Sequence, residues 1–394
     1  MADSEIRNGW ELRLSPRALL LGAICSFLAC CAAGHAVSRR NPFTEFERFH
    51  MFINPQTQFH PTVDQVRALA RDSLDREKIA VIVGGSSIMH GAGQRVEHVW
   101  TKELQRQLGD EYRVLNLALA SAGAMEFGGV AAEFLERDYP KLIFIASLGS
   151  SGLTEPDGYY YRYFYWQARQ QGLLIDAPDR DNRLKQVSVG KDSELRDELL
   201  LEMTVDRLAK AEDLWTSLAY DRAATIWTPI TGRDFWKARK HYSDPDVGDA
   251  MPFALRNGPD NFDARMAVVK SWADLGGAVF RGDDSPMITC LKASFPPQSR
   301  ARTLLVILSE NPYYVDRLPP ATRDEYYAIF AEYPEHVERA GFASLSVGRD
   351  YTVDDYADLT HLDESGGRHL AADAAPKIRQ MAHNLGYLPK KELP

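Results

Sequence analysis

The chain has 394 residues, 45% of them apolar and 26% charged, which is enough to build one large packed domain or two ordinary ones. Its formal net charge of −9 argues against nucleic acid as a partner, because phosphate binding needs a basic footprint, and fits a neutral substrate better. Cys25, Cys30 and Cys31 fall in one apolar run and only Cys290 lies in the main body, so neither a disulfide framework nor a cysteine metal site is expected.

The first element is that run, "ALLLGAICSFLACCAAGHAV" from Ala18 to Val37. A helix of about 20 residues spans about 30 Å, the thickness of a bilayer core. Arg13 and Arg17 precede it, and Arg39 and Arg40 follow. This near-even balance sets orientation only weakly. Three readings compete. A signal anchor leads, because the run is long for a cleaved signal and lacks a clean A-x-A site. A cleaved signal peptide is second. A lipoprotein signal ending at Cys30 is third, with Phe27 a poor residue at its position. All three export the rest of the chain.

Residues 41–75 read as a connector ending in a helix around Val63 to Leu74. Strands and helices then alternate. Short apolar strands are expected at 78–83, 112–119 and 141–147, separated by helices at 96–109 and 124–137, the second weakened by Gly128 and Gly129. The alternation resumes with strands at 302–309 and 342–347. Between them lies a helix at 322–341 that Pro334 should interrupt or kink, and a helix at 365–386 closes the chain. Strands spaced by helices imply a mostly parallel sheet with helices on both faces, and a site at the carboxyl ends of its strands. Residues 151–301 break the pattern and read as a helical insertion or cap. It opens on "YYYRYFYW" (159–166), which is core packing or, alternatively, a substrate groove or interfacial belt, and it includes a helical stretch at 192–215. The expected organisation is therefore an anchor or signal segment (1–40), a connector (41–75), a catalytic unit (76–150 and 302–394) and an inserted cap (151–301).

Two segments could carry chemistry. In "VIVGGSSIMHGAGQ" (81–94) a buried strand stops at two glycines and two serines. A nucleophile on a tight strand-to-helix turn stands exposed above the sheet, and glycines make that turn sterically accessible. The P-loop is excluded for want of its lysine, the dinucleotide fingerprint is absent, and Met89 stands where G-x-S-x-G needs its second glycine. An ordinary turn is the competing reading. In "DYADLTHLDESGGRHLA" (355–371), Asp358 and His361 lie three apart before a helix capped by Asp363 or Ser365. A serine hydroxyl needs a base in hydrogen-bond reach, and the base needs an orienting carboxylate. One loop offers both, against the plainer reading of a solvated polar loop. There is no H-E-x-x-H, and His369 and His383 read as helix-surface residues, so no metal is expected.

Together these segments resemble the SGNH (GDSL-like) hydrolase family. Ser87 in "GGSSIMHG" matches the block that carries the nucleophile, with Ser86 in place of the usual Asp, and "DLTHLDESGGRHLA" matches the last block. The resemblance implies Ser87, His361 and Asp358 as a catalytic triad. It also implies an α/β three-layer sandwich with a mostly parallel, flavodoxin-like sheet. "VLNLALASAG" (114–123) looks like the second block, with Asn116 on strand two, but Ser121 stands where Gly is usual and Gly123 comes two residues late. The third block, G-x-N-D in the family, is "SLGSSG" (147–152) here, without the Asn. The oxyanion donors implied are the N–H groups of Ser87 and of a residue from Ser121 to Gly123. An exported domain on a membrane anchor is similar to proteins that move acyl groups on cell-surface polymers alongside membrane-bound O-acyltransferases. The leading expectation is thus an SGNH-type serine esterase or O-acyltransferase. It would need no cofactor, act on an exported acyl ester of a polysaccharide, and have such a membrane acyltransferase as partner. The alternative is a non-catalytic accessory protein that binds a cell-surface glycan or that partner.

Overall fold

A computed structural model describes residues 15–37, 39, 41, 46–49, 61–119, 122–124, 126–148, 162–176 and 262–388. The expected helix at 192–215, Ser121, the third-block residues 149–152 and the aromatic residues 159–161 lie outside them.

The chain is α/β, built on a five-stranded, all-parallel sheet. Its strands are β1 (Ile79–Gly84), β2 (Tyr112–Asn116), β3 (Leu142–Leu148), β4 (Thr303–Leu308) and β5 (Ala343–Val347), in the spatial order β2-β1-β3-β4-β5. β1 and β3 are buried along their whole length, which is why they read as near-continuous apolar runs rather than alternating ones. Successive residues feed two separate cores. Ala80 and Ile82 join a cluster with α2 (Val63–Ser73), α5 (Phe127–Leu135), α6 (Arg162–Gln170), α8 (Pro286–Ser294) and α11 (Pro320–Arg339). Ile79, Val81 and Val83 join another with α4 (Trp100–Leu108) and α12 (Glu364–Asn384). The period-two alternation of a strand places these clusters on opposite faces.

Several expectations are adjusted. β2 stops at Asn116 rather than 119, although the N–H groups of Leu117 and Leu119 still bond the carbonyls of Val83 and Gly85 alongside the end of β1. α11 is not interrupted by Pro334. The ring removes one intrahelical donor, but Tyr333 and Val337 on either side are buried in the core cluster, and that packing offsets the lost bond. Gly128 and Gly129 do not weaken α5 so much as admit it. A Cβ on Gly128 would stand 2.4 Å from Cα of Gly84, so helix and strand touch backbone to backbone. Within the expected connector, Arg48 and Phe49 are fully buried.

α1 (Pro16–Val37) is 22 residues long, and Leu19, Leu20, Leu21, Ile24, Phe27 and Leu28 are all exposed. It is long and apolar enough to be a membrane anchor or a signal sequence. Of the inserted segment, α6 buries Phe164 and Tyr165, with Phe164 against Phe127 and Phe134. These two aromatics are core. α7 (Phe262–Phe280) packs Val269 and Ala273 on Tyr314, Val315 and Leu318, beside Leu359.

Candidate active site

In a parallel sheet of this order the chain reverses direction between β1 and β3, and a crevice opens at the carboxyl ends of those strands. The candidate residues converge at the end of β1. After Gly84 the backbone turns through Gly85 at φ 88°, which an L side chain rarely adopts. Ser86 caps a one-turn helix, α3 (Ser87–His90), accepting from the Ile88 N–H at 3.4 Å. The Ser86 and Ser147 hydroxyls are 3.0 Å apart. Ser87 is therefore the first residue of the turn, lifted off the end of the sheet.

Buried polar side chains hold this turn by its carbonyls. The Asn116 amide donates to Met89 O and His90 O at 3.4 Å each, while its Oδ1 accepts the Ala118 N–H at 3.1 Å. The Arg48 guanidinium donates to His90 O at 3.3 Å, Gly91 O at 2.5 Å and Gln94 O at 2.7 Å. The Trp100 indole donates to Met89 O at 2.7 Å. Asn116 thus supports the turn.

The second segment crosses above it. Ala357 N–H bonds His361 O at 2.8 Å, closing the turn that contains Asp358. Asn311, just past β4, donates its amide to the Asp358 carbonyl at 2.9 Å and its backbone N–H to Leu359 O at 3.0 Å. Gly93 lets the two segments meet, because a Cβ there would lie 2.7 Å from the Ala357 Cβ and 3.1 Å from Leu362 O.

The result is a continuous relay. Asp358 Oδ1 accepts the backbone N–H groups of Thr360 and His361, each at 2.9 Å. His361 Nδ1 lies 2.8 Å from Asp358 Oδ2, and His361 Nε2 lies 2.7 Å from Ser87 Oγ. An ionised carboxylate can only accept, so Nδ1 carries the proton and Nε2 is left to accept from the Ser87 hydroxyl. The imidazole and carboxylate side chains are 23% and 32% exposed, so the pair stays within reach of a ligand. Among the described residues no three His, Cys, Asp or Glu side chains gather as metal ligands would.

Burial acts to raise the Asp358 carboxyl, but the hydrogen bonds and charge of His361, with the Thr360 N–H, outweigh it and bring it down to about 2. The folded value lies below the ordinary value of about 3.9. Its contribution is therefore complete above about pH 4 and lost as pH falls through about 2. In chemical denaturation at a series of pH values, the stability difference between wild type and Asp358→Asn should shrink as pH falls from about 4 to about 2. A constant difference across that range would remove the linkage.

Gly123, one of the expected oxyanion donors, gives its N–H to Glu126 Oε2 at 2.5 Å. The structure brings Ser87, Asp358 and His361 together and finds Gly123 already engaged. Sequence reasoning missed Arg48, Gln94 and Asn311. Asn311 had a visible signal in "SENP" after a strand, since Asn before Pro is a helix-start pattern; Arg48, in a stretch without periodicity, had none.

No protein-family model and no curated protein matches the chain.

Proposed function

We propose that the protein is a serine acyl-ester enzyme of the SGNH type, an α/β three-layer sandwich with a flavodoxin-like sheet. It acts on an exported, carbohydrate-borne ester. The observation that carries this reading is the unbroken contact from Asp358 through His361 to Ser87, at 2.8 and 2.7 Å. Ser87 Oγ attacks the acyl carbonyl while its proton moves to His361 Nε2. The tetrahedral oxyanion collapses, the C–O bond to the leaving alcohol breaks, and His361 returns the proton to that alcohol. Water or a sugar hydroxyl then attacks the acyl-enzyme with His361 taking its proton, the bond from the acyl carbon to Ser87 Oγ breaks, and His361 returns the proton to Oγ to restore the hydroxyl. Asp358 holds the imidazole tautomer throughout. No cofactor is needed for these steps. The oxyanion is met by the Ser87 N–H and a second donor from the segment ending at Gly123, where each donor contributes about 3–4 kcal/mol. α1 anchors the domain to the membrane it is exported across, placing it beside a membrane-bound O-acyltransferase.

The engaged Gly123 N–H favours a second reading, in which the site binds an acylated glycan or the membrane partner without turning it over.

A fluorophosphonate tests the two readings on the full-length chain in detergent. Stoichiometric modification mapped to Ser87 is expected. Modification of Ser86 would move the nucleophile by one residue, and folded protein that takes no label would leave the accessory reading. Adding an oligosaccharide to the acetyl-enzyme separates transfer from hydrolysis, since mass spectrometry reads acetylated acceptor in one case and free acetate in the other.

A further inference from the structure

The nucleophile and its base come from segments 274 residues apart in sequence, so something other than chain connectivity must set the distance between them. Gln94 joins them. Its side chain is fully buried. Its Oε1 accepts the Trp100 N–H at 2.8 Å, at the start of α4, and its Nε2 donates to Leu362 O at 3.3 Å, one residue past His361. The first contact fixes which end of the amide is which, because a backbone N–H can be met only by the oxygen. The nitrogen must then face the acid–base loop. The backbone of Gln94 is tied into the nucleophile turn, its N–H to Gly91 O at 3.1 Å and its carbonyl to Arg48 at 2.7 Å. The facing helix leaves room for the amide, because a Cβ on Gly367 would stand 2.7 Å from Gln94 Nε2 and 2.9 Å from its Cδ. Arg95 and Glu364 form a parallel link at 2.5 Å, but Arg95 is 48% exposed, where solvent screens such a pair.

We propose that Gln94 is a positioning residue that sets the Ser87–His361 distance by spanning the two segments, resting on the serine-enzyme reading above. It does not touch the reacting atoms. It acts by holding Leu362, and with it His361, at a set height over α3.

The test is the saturation kinetics of fluorophosphonate labelling on the full-length protein. Gln94→Met keeps the bulk and loses both hydrogen bonds. The maximal labelling rate is expected to fall about tenfold or more, as loss of sub-ångström alignment does, while the probe concentration at half-maximal rate stays within twofold. General structural damage would instead lower the fraction of protein that labels and leave the rate of the remainder unchanged. Gly367→Ala offers a second route. It keeps every hydrogen-bonding group, suits a helix, and pushes the amide aside, so it should slow labelling in the same way and serves as the deciding variant if Gln94→Met does not fold. Folded Gln94→Met or Gly367→Ala labelling at the wild-type maximal rate overturns the proposal. Wild type that takes no label removes the serine reading itself, and the positioning role falls with it; that outcome is read before either variant is made.

Discussion

His361→Ala is expected to lower cleavage of a chromogenic acetate ester by about 10⁴-fold or more, and Ser87→Ala by a similar factor, with neither variant losing its fold. The reason is local. The Ser87 hydroxyl faces Nε2 at 2.7 Å, and an alcohol at neutral pH is a weak nucleophile without that acceptor. Removing either partner removes the same step, so the double variant should be no slower than the slower single one. Asp358→Asn should cost about 10⁴-fold, as tautomer reversal does elsewhere. Oδ1 already accepts the N–H groups of Thr360 and His361. An asparagine satisfies those two donors by keeping its oxygen there; that oxygen also lies 3.0 Å from His361 Nδ1, but the closer 2.8 Å contact, at the Oδ2 position, becomes an NH₂ facing Nδ1. The imidazole then accepts at Nδ1 and carries its proton on Nε2, pointing a donor at Ser87. Initial rates, with circular dichroism to show retained fold, check all three. Variants within threefold of wild type would mean that acyl chemistry does not pass through these residues.

The relay was legible because both halves have short-range signatures. A strand that stops on small residues marks the end of β1, and D-x-x-H before a capped helix puts Asp358 and His361 on one turn. The five strands were legible for a related reason, since β1, β3 and β4 are two-sided core and their apolar runs carry little else. What holds the halves together was not. Gln94 bonds the Leu362 carbonyl, 268 residues away, and Arg48 braces the carbonyls of the Ser87 turn from outside it; neither single polar side chain has a periodicity to betray it, whereas Asn311, bonded to the Asp358 carbonyl, had only the local Asn-Pro signal. Gly123 shows the opposite limit. Its residue type suited a donor role, but a carboxylate three residues on reaches back to take its N–H, a contact that depends on one side-chain rotamer. The same limit applies to Pro334, where intrinsic helix cost is offset by the burial of Tyr333 and Val337.

Glycine makes the sharpest case, because one substitution should act with opposite sign in two helices. Gly128→Ala is expected to destabilise the protein by about 2–4 kcal/mol. On propensity alone alanine should stabilise a helix, by about 1 kcal/mol. Here, however, its methyl would sit 2.4 Å from Cα of Gly84, and backbone cannot rotate away as a side chain does. Relief requires α5 to lift from β1, opening the core that Phe127, Val130 and Phe134 fill. Moving Gly84 instead would disturb the turn that presents Ser87. Gly276→Ala, in α7, meets nothing nearer than Ile329 Cδ1 at 3.6 Å, an ordinary contact. It should stabilise by up to about 1 kcal/mol through propensity and the reduced freedom of the unfolded chain. Denaturant midpoints measured side by side on full-length protein decide it. If Gly128→Ala unfolds at or above the wild-type midpoint, the helix–strand contact does not depend on the missing Cβ. If both substitutions shift the midpoint upward, propensity alone governs both helices.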